Sequence, residues 1–95
     1  MLVAEFSITP VTVDDLTPFF DAAIGVIKES GLKYEVEALG TTIEGELDQV
    51  LEVIKKAHQA VINLGAGRVL TEIRIDHRAS EAAVDDELDD CCSYV

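Results

Sequence analysis

The chain has 95 residues, enough for one domain that should bury roughly 65% of the surface its unfolded form exposes, with little margin of stability. It is 48% hydrophobic but carries 19 acidic against 7 basic residues, a formal charge of −12, which repels phosphate backbones and anionic lipid and argues against nucleic-acid or membrane partners. No apolar run approaches the roughly 20 residues that span a bilayer, and Met1 leads straight into a strand-like pattern without a basic signal region, so a cytoplasmic protein is expected.

From Leu2 to Ile8, apolar Leu2, Ala4, Phe6 and Ile8 alternate with Val3, Glu5 and Ser7, the period of two that a half-buried strand requires. Pro10 ends it. Thr17 reads as an N-cap with Pro18 at the first helical position, and Phe19, Phe20, Ala23, Ile24 and Ile27 then recur at helical spacing until Gly31 stops the helix. Gly25 inside this helix costs about 1 kcal/mol relative to alanine and marks either an exposed weak point or a close backbone approach.

A second strand, Lys33 to Leu39, puts Tyr34, Val36 and Ala38 on one side and Lys33, Glu35 and Glu37 on the other. Gly40 makes the turn into a third, Thr41 to about Glu46, with Ile43 inward and Thr42, Glu44 and Glu46 outward, although a bulge at the glycine would exchange Thr41 and Thr42. A second helix follows, with Leu47, Val50, Leu51, Ile54, Ala57, Val61 and Leu64 as its apolar stripe and a Glu52–Lys56 pair one turn apart. The last strand, Arg68 to Asp76, alternates Val69, Thr71, Ile73 and Ile75 with Leu70, Glu72 and Arg74.

The order strand, helix, strand, strand, helix, strand predicts an α+β fold of ferredoxin-like βαββαβ type, an antiparallel four-stranded sheet with two helices on one face. Residues 1–78 form this domain, and residues 79–95 an acidic C-terminal extension that is either a short helix around Glu81 to Leu88 or disordered. From Asp76 onward there are seven acids and one base, so the last twenty residues hold −6 of the charge, most simply a solvated end. Adjacent Cys91 and Cys92 seldom pair with each other, and His58 and His77 are badly spaced to complete a metal site, so neither a metal nor a cofactor is expected.

Both helices must cover one sheet face, which leaves the other, with Val3, Glu5, Ser7, Glu35, Glu37, Thr42, Glu44, Leu70, Glu72 and Arg74, for solvent, a ligand or another subunit. Five aromatics in an acidic chain do not make an RNA-stacking platform. The segment after strand one, Ile8-Thr9-Pro10-Val11-Thr12, has neither the cysteines of a metal chaperone nor the arginine of a phosphate loop. Nucleophilic catalysis needs a base beside the nucleophile, and neither histidine is placed for it. His58 flanks the helix stripe and reads as a partly buried structural residue, and His77 as part of a strand-end cluster. Enzymatic activity is therefore not expected. The hairpin of residues 34 to 46, rich in hydroxyls and carboxylates, is instead suited to hold a polar or cationic molecule.

Tyr34-Glu35-Val36 followed by Gly40-Thr41-Thr42-Ile43-Glu44-Gly45 carries a resemblance. With a strand ending near Pro10, Leu47-Asp48 opening a helix that contains Lys56-Ala57-His58, and Arg68-Val69 leading to Ile75-Asp76, the chain resembles the small thiamine-binding proteins of the YkoF type over about residues 1 to 78. His77, where family members commonly have an acid, and the wholly acidic tail depart from that pattern. The resemblance implies subunits that pair or form tetramers and hold thiamine or its hydroxymethylpyrimidine part against the open sheet face near a subunit interface. Ser7, Thr41, Thr42 and Glu44 would then contact the ligand, supported by Tyr34 and Glu35. A carboxylate about 4 Å from the thiazolium would favour it by roughly 1 to 4 kcal/mol, and the acidic chain favours unphosphorylated ligands over thiamine diphosphate. The competing reading is a structural or regulatory oligomerisation module with no small-molecule ligand.

Overall fold

The computed structural model describes residues 1–79. Its elements are β1 (Leu2–Pro10), α1 (Thr17–Glu29), β2 (Lys33–Glu37), β3 (Gly40–Gly45), α2 (Leu47–Asn63) and β4 (Val69–His77), in the expected βαββαβ order. The strands form one antiparallel sheet in the order β2-β3-β1-β4. The helix anticipated around Glu81 to Leu88, together with Cys91 and Cys92, lies outside the described residues.

One face of the sheet makes the core. Leu2, Ala4 and Phe6 from β1 and Ile43 from β3 are buried against Ala23 and Ile27 of α1 and Val50, Val53, Ile54, Ala57 and Val61 of α2. The registers Val3↔Glu44, Glu5↔Thr42 and Glu35↔Thr42 set the alternate residues on the opposite, helix-free face. Burying the larger of these apolar side chains, at about 1.5–3 kcal/mol each, is the main term that holds two helices on one side.

Several details differ from the sequence expectation: β2 ends at Glu37 rather than Leu39, the turn is made by Ala38 and Leu39 with Gly40 already in β3, and Glu46 is the N-cap of α2 rather than a strand residue. Thr17 is the first helical residue rather than the cap: Leu16 precedes the helix without a side-chain cap bond, and the Asp15 carboxylate accepts from the Thr17 backbone N–H at 3.0 Å. The α2 stripe is shifted, because Val53 is buried while Leu47, Leu51 and Leu64 are exposed at its margin. Val36, expected in the core, is 40% exposed, because edge strand β2 extends past the helices that would cover it. The Glu52–Lys56 pair is present at 4.0 Å, on the surface. His58 Nδ1 lies 2.6 Å from Thr71 Oγ1, a helix-to-sheet hydrogen bond that gives this histidine a structural role.

Candidate functional site

The strands differ in length, and the difference makes a cavity. β1 pairs with β4 all the way to Pro10↔Val69, but its pairing with β3 ends at Phe6↔Thr41. The last residues of β1 therefore overhang the β2–β3 turn, and the start of α1 closes the space from the helix side. The result is a cavity of about 380 Å³ lined by Phe6, Ile8, Phe19, Phe20, Val36 and Thr41, among others. That volume is in the range of small-ligand pockets. Leu16, Phe20 (54% exposed), Val36 and Leu39 (93%) also line it, a cluster of exposed apolar side chains of the kind that marks a binding site.

Two polar features sit inside this apolar wall. Thr41 is the one buried polar residue among those described, at 7% exposure. Its hydroxyl takes part in none of the side-chain hydrogen bonds among described residues, yet no fully buried polar atom there lacks a partner. Thr41 lines the cavity, so its hydroxyl stands at the wall that a bound molecule would meet. The second feature is backbone. A Cβ placed on Gly40 would lie 2.7 Å from the Phe6 carbonyl oxygen, so Phe6 turns its backbone groups toward β3. Val11 N–H donates to the Arg68 carbonyl on the other side at 2.8 Å. Successive strand residues alternate the edge to which N–H and C=O point. Ile8 accordingly presents both toward β3 at a position where β3 has ended, leaving a donor and an acceptor side by side at the cavity.

The six residues singled out in the sequence are divided by the sheet. Thr41 lies on the helix side and lines the cavity; Ser7 alternates toward the open face yet also contributes to the cavity wall. Tyr34 packs at the rim of the core. Glu35, Thr42 and Glu44 lie on the open face, where Lys33 Nζ is 3.9 Å from Glu44 Oε2. The register resolves the choice left at Gly40: Glu37↔Gly40 and Val36↔Thr41 pair without a bulge, so Thr42 faces outward and Thr41 inward. On the open face the Thr42 hydroxyl donates to Glu37 Oε1 at 3.1 Å; Glu37, though not Thr42, also contributes to the cavity lining. Glu37 and the α1 residues Leu16, Phe19 and Phe20 were not singled out as site residues. The adjacent phenylalanines at a helix start, wider than one apolar stripe, were the available signal.

A family model described as thiamine-binding protein matches residues 4–91. The chain belongs to the thiamine-binding protein family. Among relatives of this family, a UPF0045 protein of Methanothermobacter thermautotrophicus is 36% identical over 81 residues, covering 82% of each chain. A further UPF0045 protein, from Methanocaldococcus jannaschii, is 40% identical over 78 residues, 81% of this chain and 77% of its own. Among solved structures, a domain of unknown function from Bacillus cereus superposes with a TM-score of 0.78 at 44% identity, covering 83% of this chain and 77% of that one. A candidate thiamine biosynthesis/salvage protein from Thermotoga maritima gives 0.73 at 26% identity, covering 92% and 97%. Among the described residues of this thiamine-binding family member, no helix is long and apolar enough to cross a membrane, and no group of three or more His, Cys, Asp or Glu could hold a metal ion.

Proposed function

We propose that this chain is a non-catalytic, cytoplasmic binding protein for thiamine or its hydroxymethylpyrimidine moiety, working as a homo-oligomer, a dimer or tetramer. Family membership supports the ligand class. The observation that carries the reading is the open backbone edge of Ile8 beside the Thr41 hydroxyl in an otherwise apolar cavity. An aminopyrimidine has a ring nitrogen that accepts and an adjacent amine that donates, the complement of a backbone N–H and C=O on one strand residue. The ring's faces are matched by Phe19, Phe20 and Val36, and its remaining polar atom by Thr41.

The thiazolium then projects out of the cavity past the end of β2, where the Glu37 carboxylate, held by Thr42 on the open-face side, receives its positive charge. Glu35 and Glu44, on the sheet face behind, extend the same negative field. A diphosphate would meet that field with charge of the same sign, and Lys33 is engaged with Glu44.

The test is titration calorimetry of the full chain with hydroxymethylpyrimidine, thiamine and thiamine diphosphate, repeated with a pyrimidine analogue lacking the amine. Thiamine and the bare aminopyrimidine are expected to bind, the diphosphate at least tenfold more weakly, and the analogue without the amine weakest. Tight diphosphate binding with no thiamine binding overturns the reading.

A further inference from the structure

β1 is held on both sides only as far as Phe6. From Ser7 to Pro10 it pairs with β4 alone, in the register Ser7↔Glu72, Ile8↔Thr71, Thr9↔Leu70 and Pro10↔Val69. The overhang that walls the cavity is thus part of a two-stranded ribbon, an arrangement that is marginal on its own. Val11 N–H donates to the Arg68 carbonyl, so by alternation Thr9 and Ser7 send their backbone groups to β4, while Ile8 sends its own to the cavity. Ile8 and Thr71 therefore face each other as a non-hydrogen-bonded pair, the kind whose side chains come closest. Both side chains lie on the helix side, since Ile8 continues the inward alternation of Leu2, Ala4 and Phe6 and packs against the core. Thr71 is tied to α2 from above: its Oγ1 lies 2.6 Å from His58 Nδ1. Among the described residues this is the one side-chain hydrogen bond between a helix and the sheet, the others staying within a helix, its flanking loops or the β2–β3 hairpin. His58 has a fixed support, because Ala57 and Val61 beside it on α2 are buried in the core.

We propose, resting on the aminopyrimidine site described above, that His58 is a positioning residue for the ligand. Acting through Thr71, it fixes the height of Ile8 and so the aim of the backbone N–H and C=O that meet the aminopyrimidine edge. His58 touches no ligand; what it supplies is direction. A strand end free to swing on a two-stranded ribbon presents its donor and acceptor over a range of angles, and a hydrogen bond weakens steeply once it is bent. Apolar contact with Phe19, Phe20 and Val36 is non-directional and tolerates the same swing. Loss of the tie therefore costs recognition of the amine and the ring nitrogen more than it costs affinity for a flat ring in general.

Two measurements on the full chain test it. In the ligand-free protein, backbone amide relaxation by NMR should show Ile8 and Thr9 of the His58→Phe variant losing about 0.1 from a rigid order parameter of about 0.85, with Ala4 to Phe6 unchanged. His58→Asn, whose side-chain amide stands where Nδ1 was, should restore them. In titration calorimetry, His58→Phe and Thr71→Val should each weaken hydroxymethylpyrimidine by about 3- to 10-fold, part of what two neutral hydrogen bonds contribute. The analogue lacking the amine makes only one of those bonds and should lose less, so the preference for the amine narrows. The double variant should lose no more than either single one, since both remove the same bond, and His58→Asn and Thr71→Ser should recover most of the affinity. Unchanged order parameters at Ile8 and Thr9 in a folded His58→Phe chain overturn the proposal. So does an unchanged preference for the amine, or additive losses in the double variant. A wild type that binds neither pyrimidine overturns the aminopyrimidine reading instead, and the relaxation result still decides whether His58 fixes Ile8.

Discussion

Thr41 and Thr42 are neighbours with opposite surroundings. One is sealed into the helix side with its hydroxyl at the cavity wall, and the other is on the open face, tied to Glu37 at 3.1 Å. Thr41→Val keeps the shape and removes the hydroxyl, so fold stability should change by less than about 1 kcal/mol because valine suits a strand. Affinity for hydroxymethylpyrimidine should fall by about 2- to 12-fold, the equivalent of one neutral hydrogen bond of about 0.5–1.5 kcal/mol. Glu44→Ala, on the opposite face, should leave that affinity within about twofold. The reverse pattern in calorimetry, with binding lost on Glu44→Ala and retained on Thr41→Val, would move the ligand to the open face. Period-two alternation was enough to place Ser7, Glu35 and Glu44. It could not choose between Thr41 and Thr42, because a single added residue at Gly40 reverses every later side chain, and only the pairing of Glu37 with Gly40 rules that residue out.

At the level of elements, α1 is the least optimised piece. It starts without a side-chain cap from Leu16, and it carries Gly25 exposed in mid-helix with nothing within 4 Å of where a Cβ would sit. Gly25→Ala should therefore stabilise the fold by about 0.5–1 kcal/mol and raise the thermal midpoint by a few degrees, measured by calorimetric or dichroic melting. An unchanged or lowered midpoint would indicate a packing role for the glycine that the fold of one chain does not contain. Helical spacing alone located both helices, and the errors lie at their margins. Phe20 belongs to the apolar pattern of α1 yet is 54% exposed, because it borders the cavity rather than the core. That cavity was not legible in the sequence. It is bounded by the ends of β1, α1 and the β2–β3 hairpin, and it exists because β1 outruns β3, a mismatch between strands that no local pattern records.

For the whole molecule the dominant quantity is charge. The described ion pairs, such as Lys33–Glu44 and Lys56–Glu52, are exposed and contribute little individually. They cannot offset the self-repulsion of a −12 chain. Raising sodium chloride from about 20 mM to 500 mM shortens the Debye length from roughly 20 Å to about 4 Å. It should raise the melting midpoint, while the same addition weakens thiamine binding more than binding of the neutral pyrimidine. A midpoint that falls with salt would mean that attractive pairs, not net repulsion, control stability. The sheet order also has a consequence in time. β1, the first described strand, finds its longest partner in β4, the last described strand, while β3 covers only part of its length. Closing the sheet thus waits for the most distant segment, after both helices and the hairpin can already have formed from local contacts. A folding route in which the helices and hairpin form first would leave the overhang past Phe6, which shapes the cavity, among the last parts to be fixed.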